Sequence, residues 1–317
     1  MSDPIPLPPE DRALLDLARA LLAEDYAFTT PTPATHARVN ARPGNEEARD
    51  LRGVFGWSRP FRPGLLPEPM LDLLRAGGAL EEAGGLLRSR LRLSCLDGLA
   101  FLHSAYPTTE ADSVFFGPDT YRFARAIEDA LRERKRPMRR AVDIGCGAGP
   151  GGILVARARP EAEVFLGDIN GAALRLARIN AALNGASRAR AVHSNLLGGV
   201  EGALDLIVAN PPYLVDPAER TYRHGGGPLG AGLSLAILDA ALERLAPGGT
   251  LVLYTGAAVV NGDDPFRSAA LARIARQNAA WTYREMDPDV FGEELEAEAY
   301  RGADRIAAVV LTVAREG

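Results

Sequence analysis

Apolar residues recur at helical spacing near the start of the chain. In residues 11–24 (DRALLDLARALLAE), Leu14, Leu15, Leu17, Ala18, Leu21 and Leu22 share one face behind an acidic first turn, which the helix dipole favours. Residues 30–68 break that period with proline, arginine and polar groups and predict turns and short helices. A helical pattern returns over 68–88, interrupted by two glycine pairs. Residues 89–105 (SRLRLSCLDGLAFLHSA) then alternate polar and apolar about Asp97-Gly98, a strong short hairpin signal.

Beyond residue 110 the pattern changes. Strand-like runs at 140–145, 163–168, 190–194, 204–209, 250–255, 280–286 and 305–314 alternate with helical runs at 119–134, 150–158, 171–184, 231–246 and 265–278. Such alternation predicts a parallel α/β sheet. Only an acidic, irregular insert at 287–304 separates the last two strands, so they are expected to form an antiparallel hairpin at the sheet edge. The expectation is therefore a mainly helical N-terminal part, 1–110, ending in a small β hairpin. An α/β part, 111–317, follows with a seven-stranded mixed sheet.

Composition narrows the class without naming a function. With 47% hydrophobic and 24% charged residues, the 317-residue chain has ample material for a core. No apolar run approaches the roughly 18 residues of a spanning helix, and the N-terminal stretch lacks the basic start and apolar run of a signal peptide. The two cysteines, Cys95 and Cys146, do not make a disulfide framework, and a reducing cytoplasm is expected. A net charge of -5 argues against a globally basic nucleic-acid binder. The run Arg132–Arg140 (RERKRPMRR) is the best local candidate for phosphate contacts, although cations that end a helix are ordinarily dipole-favoured and solvated.

Two segments carry chemistry. The first, Asp143-Ile144-Gly145-Cys146-Gly147-Ala148-Gly149, leaves a predicted strand and opens a helix. Glycines there let the backbone touch a ligand, and the helix start offers unpaired amides. Gly147-x-Gly149-x-x-Gly152 fits a dinucleotide fingerprint, which keeps a nicotinamide oxidoreductase open. Asp143-x-Gly145-x-Gly147-x-Gly149 resembles motif I of class I methyltransferases instead. Asp168, ending the next strand, suits a ribose diol under either reading, because a carboxylate accepts from both hydroxyls. Its neighbour Ile169 joins it, and Asn195 with Leu196, after the third strand, is the expected adenine contact.

The second segment is Asn210-Pro211-Pro212-Tyr213, a rigid turn at the end of the apolar run 203–209. Methyl transfer is an in-line displacement, so the accepting atom has to be held opposite the leaving sulfur. An amide or exocyclic amine is a poor nucleophile because its lone pair is delocalised. Gripping both N–H bonds, with the Asn210 side-chain oxygen and the Pro211 carbonyl as acceptors, positions it. Consecutive prolines fix φ and remove competing N–H groups, and Tyr213 can stack on a flat substrate group. No metal cluster is needed or evident.

Residues 112–315, which contain both segments, resemble the HemK/PrmC family, protein glutamine N5-methyltransferases that modify peptide-chain release factors. Phe116-Gly117-Pro118-Asp119-Thr120 resembles the Pro-Arg-Pro-(Asp/Glu)-Thr element of that family. Asp168-Ile169-Asn170, followed by Ala177 and Asn180, resembles its second motif, and Asn210-Pro211-Pro212-Tyr213 matches its catalytic loop. His224 to Gly230 and Ala246 to Gly249 resemble the glycine-rich segment and turn that follow. The resemblance implies a class I, Rossmann-like S-adenosylmethionine (SAM) methyltransferase fold, SAM as cofactor and S-adenosylhomocysteine as product. It places Gly117, Pro118, Asp119 and Thr120 over the cofactor, Asp143 near its ammonium, and Gly145, Cys146, Gly147 and Gly149 around it. Asn210 would touch cofactor and acceptor alike. The implied partner is a macromolecule, most simply a protein of release-factor type, methylated by a monomer or weak dimer. The first 110 residues and residues 254–264 depart from the family pattern. Because adenine-N6 and guanine-N2 methyltransferases share the tetrapeptide, nucleic-acid base methylation is the alternative, and a catalytically silent SAM-binding regulator is another. Arg220, Arg223 and His224 follow the tetrapeptide and are candidates for recognising the acceptor, His224 more simply as a loop residue.

Overall fold

The computed structural model describes residues 7–216, 218, 220, 222–277 and 279–317. Four helices come first: α1 (Pro9–Ala23), α2 (Pro33–Asn40), α3 (Leu51–Phe55) and α4 (Glu68–Ala76). Two hairpins follow, β1 (Leu80–Ala83) with β2 (Leu86–Ser89) and β3 (Leu91–Leu96) with β4 (Leu99–Ser104). The helical reading of 68–88 is thus corrected. Gly78 ends the helix at φ 68°, and Gly84 and Gly85, at φ 61° and 80°, form a two-residue turn that needs positive φ at both positions. Helical spacing of leucines alone did not separate a helix from a helix followed by a hairpin. Gly77 is small for packing, since a Cβ there would fall 2.3 Å from Leu14 Cδ2.

The α/β part matches the expected alternation closely. Its elements are α5 (Pro118–Glu133), β5 (Arg140–Ile144), α6 (Pro150–Ala158), β6 (Glu163–Asp168), α7 (Gly171–Leu183), β7 (Ala189–His193) and β8 (Leu204–Ala209). α8 (Gly232–Arg244), β9 (Leu245–Val259), α9 (Pro265–Ile274), β10 (Ala279–Asp287) and β11 (Arg305–Arg315) complete it. The strands form one seven-stranded sheet in the order β10-β11-β9-β8-β5-β6-β7. β5 to β9 run parallel, and β11 is antiparallel to both β9 and β10. The hairpin therefore lies at the edge as expected, with β10 outermost and the reversed strand one place in. From β5 the chain moves out through β6 and β7, then returns to place β8 on the other flank of β5. That reversal opens a crevice at the carboxyl ends of β5 and β8, the usual ligand position in an open α/β sheet.

The N-terminal helices pack their own core, with Leu14, Leu17, Leu21, Leu71 and Leu74 buried, and they share it with Ala173, Leu176 and Ile179 of α7. Polar bonds fix the register of that contact. The Asn180 side chain accepts from Leu102 N at 2.8 Å and donates to Leu102 O and Ala148 O, each at 2.9 Å. One turn on, Asn184 pairs in the same way with Ala100 N and O. Two asparagines on one helical face thus act as a strand partner for β4, and Asn180 also ties it to the glycine loop. Leaving such buried backbone groups unpaired costs about 1–3 kcal/mol each.

Candidate active site

The glycine loop hangs between β5 and α6. Gly145, Gly147 and Gly149 have φ of 68°, 53° and 88°, values that side-chain-bearing residues rarely adopt. Behind the loop, Asp143 is 1% exposed and its Oδ2 accepts from Gly152 N at 2.8 Å. Burial pushes its carboxyl up to about 7, the single bond from Gly152 offsets part of that, and the charge of Asp168 adds to it. No side chain fits at Gly151, where a Cβ would sit 2.6 Å from the Phe123 ring and 2.8 Å from Asp143 Oδ2. Cys146 is buried, and desolvation pushes its thiol well up, so it stays protonated beside the loop.

Asp168 ends β6 and fastens two turns at once. Oδ2 accepts from Gly147 N and Oδ1 from Asn170 N, both at 2.9 Å. The cap of α7 is Asn170, whose side chain accepts from Ala172 N at 2.9 Å. Each Asp168 oxygen keeps lone pairs beyond these bonds. After β7, Ser194 donates to Leu196 O at 2.8 Å and accepts from Gly199 N at 3.0 Å, holding a turn in which Leu196 takes φ 50°.

Asn210 stands at the end of β8, half-buried, and among the described residues its side-chain amide takes part in no hydrogen bond. The glycine-rich segment that follows buttresses its loop from behind. A Cβ at Gly225 would be 2.7 Å from Tyr213 Cα, and one at Gly230 would be 2.1 Å from Tyr213 O. Only glycine permits that backbone-on-backbone contact. Tyr213 is buried, donates to Asp119 Oδ2 at 2.7 Å, and meets Phe291 edge-on with centroids 5.9 Å apart.

These groups line one cavity of about 360 Å³. Of the residues expected from sequence, Asp119, Thr120, Asp143, Gly145, Cys146, Gly147, Asp168, Ile169, Asn195, Leu196, Asn210, Pro211, Pro212 and Tyr213 reach its wall. Gly117, Pro118 and Gly149 do not. Gly117 caps α5 against the Phe115 ring, Pro118 is the first residue of that helix, and Gly149 caps α6 against Ile153 and Ala177. Arg220 and Arg223 also line the cavity, but both are paired. Arg220 grips Asp216, whose carboxyl it holds well below the usual range, and Arg223 meets Glu294. His224 Nδ1 accepts from Asp216 N at 3.2 Å and is absorbed in the loop.

Sequence reasoning missed Tyr106, Thr108, Phe115, Ser194, Tyr222 and Phe291 on the same wall. No local motif marks them, because they arrive from four separate stretches. The Tyr222 hydroxyl donates to Thr108 O at 2.6 Å, joining two of those stretches over the cavity. The basic run Arg132–Arg140 lies elsewhere, at the amino end of β5. Arg132 pairs with Asp129 at 2.7 Å, Arg134 donates to Gly248 O at 3.1 Å, and Arg140 donates to Glu201 O at 2.7 Å.

The family model for the Methyltransferase small domain matches residues 124–260. The chain is 33% identical over 204 residues to a release factor glutamine methyltransferase of Deinococcus radiodurans, an alignment covering 61% of this chain and 69% of the relative. The chain belongs to that family. It is an S-adenosylmethionine-dependent methyltransferase, as the tetrapeptide and glycine loop imply. Family membership excludes the oxidoreductase reading of Gly147, Gly149 and Gly152. A ribosomal protein uL3 glutamine methyltransferase of Neisseria meningitidis is 34% identical over 144 residues, 41% of this chain and 48% of that protein. The putative transferase PH0793 of Pyrococcus horikoshii shares the fold at 12% identity, with a TM-score of 0.50 over 78% of this chain and 83% of that one. In this family's chain, then, a sheet-end cavity joins the glycine loop to an asparagine amide that has no hydrogen bond among the described residues.

Proposed function

We propose that the protein methylates the side-chain amide nitrogen of a protein glutamine, with SAM bound against the glycine loop. The observation that carries this reading is the Asn210 amide, without a hydrogen bond among the described residues, in the same cavity as Asp168 and the glycine loop. The loop suits a ligand that approaches the backbone closely, since a Cβ built on Gly145 meets no atom within 4 Å. Asp168 would hold ribose hydroxyls through its remaining lone pairs, Asn195 and Leu196 would flank adenine, and buried Asp143 would face the ammonium. SAM, when bound, supplies an electrophilic methyl group on a sulfonium.

The chain's own residues do the rest. The Asn210 oxygen and the Pro211 carbonyl accept the two amide N–H bonds of the acceptor, which orients its nitrogen and favours positive charge developing on it. Prolines 211 and 212 offer no competing N–H. Tyr213 and Phe291 supply flat walls, and the largely apolar cavity excludes water that would compete for the amide.

A protein acceptor fits the charge better than nucleic acid does. The basic run lies at the amino end of β5, whereas the cavity opens at the carboxyl end. The relatives named above, which modify a release factor and ribosomal protein uL3, support a glutamine. We assign acceptor recognition to residues 1–110 together with the loops near 220 and 290, because all three regions contribute to the cavity wall. Tritiated SAM, the purified protein and a cell extract test the reading. Label is expected in protein and recovered after digestion as N5-methylglutamine. Label confined to RNA or DNA overturns it.

A further inference from the structure

One buried carboxylate gathers three donors beside the acceptor loop. Asp119, 7% exposed, accepts from the Tyr213 hydroxyl on Oδ2 and from the Tyr254 hydroxyl on Oδ1, both at 2.7 Å. Arg122 donates to the same Oδ1 at 3.2 Å, and its other nitrogen donates to Asp287 at 2.7 Å, the residue from which the 287–304 insert leaves β10. The Tyr213 ring has no slack within this frame. A Cβ at Gly256 would lie 2.2 Å from its Cδ2, and Phe291, carried by the insert, meets it edge-on. Asp119, expected from sequence at the cofactor, is bonded in the fold to both tyrosines.

We infer that Asp119 is a positioning residue for the acceptor: it tethers Tyr213 against Gly256 and Phe291, and Tyr254 holds Asp119 in turn. The inference rests on the assignment of Tyr213 to the acceptor side. A tethered ring presents one fixed wall to a planar group, and displacement of such a wall by about 1 Å costs roughly 100-fold in rate. Tyr254 is fully buried and outside the cavity wall, so it can influence turnover only through what it holds. Charge supports the geometry. After burial, the Asp119 carboxylate is the next largest influence raising both phenols above their ordinary range. Both hydroxyls therefore remain donors at working pH.

The test separates position from cofactor contact and from mere stability. Asp119→Asn keeps the volume but has one accepting oxygen for two hydroxyls. It is expected to lower tritium transfer from saturating SAM into extract protein by about 10- to 100-fold, with calorimetric SAM affinity within about twofold of the parent. Tyr213→Phe and Tyr254→Phe, each removing one hydroxyl, are expected to lower the same rate while melting temperatures stay close. The double variant Asp119→Asn/Tyr213→Phe is expected to be no slower than the slower single one, because both break one tether. A large loss of SAM affinity with turnover intact, or rate losses that multiply, overturns the inference. If Asp119→Asn fails to fold, the tyrosine variants decide alone, and a Tyr254→Phe enzyme of full activity overturns it. Ultraviolet titration of the tyrosines needs no acceptor. Losing the carboxylate removes the charge that opposes phenolate, so the buried phenols should ionise at lower pH in Asp119→Asn. An unchanged titration counts against the tether even if glutamine is not the acceptor.

Discussion

The two halves of the cavity are built in opposite ways. The half proposed for the cofactor is local: Asp143, Gly145, Gly147 and Asp168 sit on consecutive βα units, and Asp168 is bonded to the loop it faces. The half proposed for the acceptor is assembled from segments far apart in sequence: Tyr222 is bonded to Thr108, and Phe291 lines the same cavity as both and as Asn210. A half built from one supersecondary unit is hard to vary without losing the ligand. A half built from three loops can change its acceptor while the chemistry stays in place, which is consistent with relatives named for different protein substrates.

The sharpest way to break this comparison is to remove one group from each half. Asn210→Ala takes away the hydrogen-bond acceptor proposed for the reacting nitrogen and is expected to lower turnover by about 100- to 1,000-fold, leaving SAM affinity within about twofold. Rates at saturating SAM, set beside calorimetric affinity, check it. Collapse of SAM binding in this variant would merge the two halves. Asp168→Ala should do the reverse. Losing charge-assisted bonds of about 1.5–3 kcal/mol weakens SAM by roughly 10- to 100-fold, and the freed Gly147 amide loosens the loop as well. A variant that binds SAM normally and turns over slowly would show that Asp168 belongs to the acceptor half.

The same contrast explains what was legible beforehand. Strands β6 and β8 and helix α6 fall on the residues expected, because buried parallel strands and their crossover helices carry strong periodic signals. The glycine loop was legible because its torsions demand glycine. The hairpin at 80–89 was not, since Gly84-Gly85 read as an interruption of a helix until the strands were seen to pair. Asp119 was only partly legible. Its motif marked it as a site residue, but only the fold shows Tyr213, from the loop after β8, and Tyr254, from within β9, arriving at its two oxygens. Tyr106, Thr108 and Phe291 carry no pattern at all, and their place follows from docking of whole elements.

The seam that ties β4 and the glycine loop to α7 can be loosened from outside the cavity wall. Asn180→Ala orphans Leu102 N, Leu102 O and Ala148 O at once, groups held at 2.8–2.9 Å in the folded protein. The expected loss is about 3 kcal/mol of stability or more, at roughly 1–3 kcal/mol for each orphaned group, read by denaturant unfolding. Some loss of SAM affinity should accompany it, because Ala148 belongs to the glycine loop. Asn184→Ala, which leaves the loop untouched, should lose less of both. Equal effects on SAM binding would show that the seam does not transmit to the loop.

The smallest effect expected is one of pH, and it reports on the cofactor half alone. Asp143 is ordinary in the unfolded chain, near 4, and is raised to about 7 in the fold by burial. Between those values the folded protein binds the extra proton. Its contribution to stability is therefore fully present below about 4 and declines as pH rises through 7. Asp143→Asn cannot ionise and should flatten that decline, giving a shallower fall in melting temperature between pH 5 and pH 8. If SAM places its ammonium near Asp143, binding favours the ionised carboxylate and releases the proton. SAM affinity should then rise by a few-fold from about pH 6 to pH 8, and the binding enthalpy should depend on the ionisation enthalpy of the buffer. Affinity that is flat with pH, with no proton released, would place the ammonium away from Asp143 and leave Asp168 as the chief anionic contact of the glycine loop.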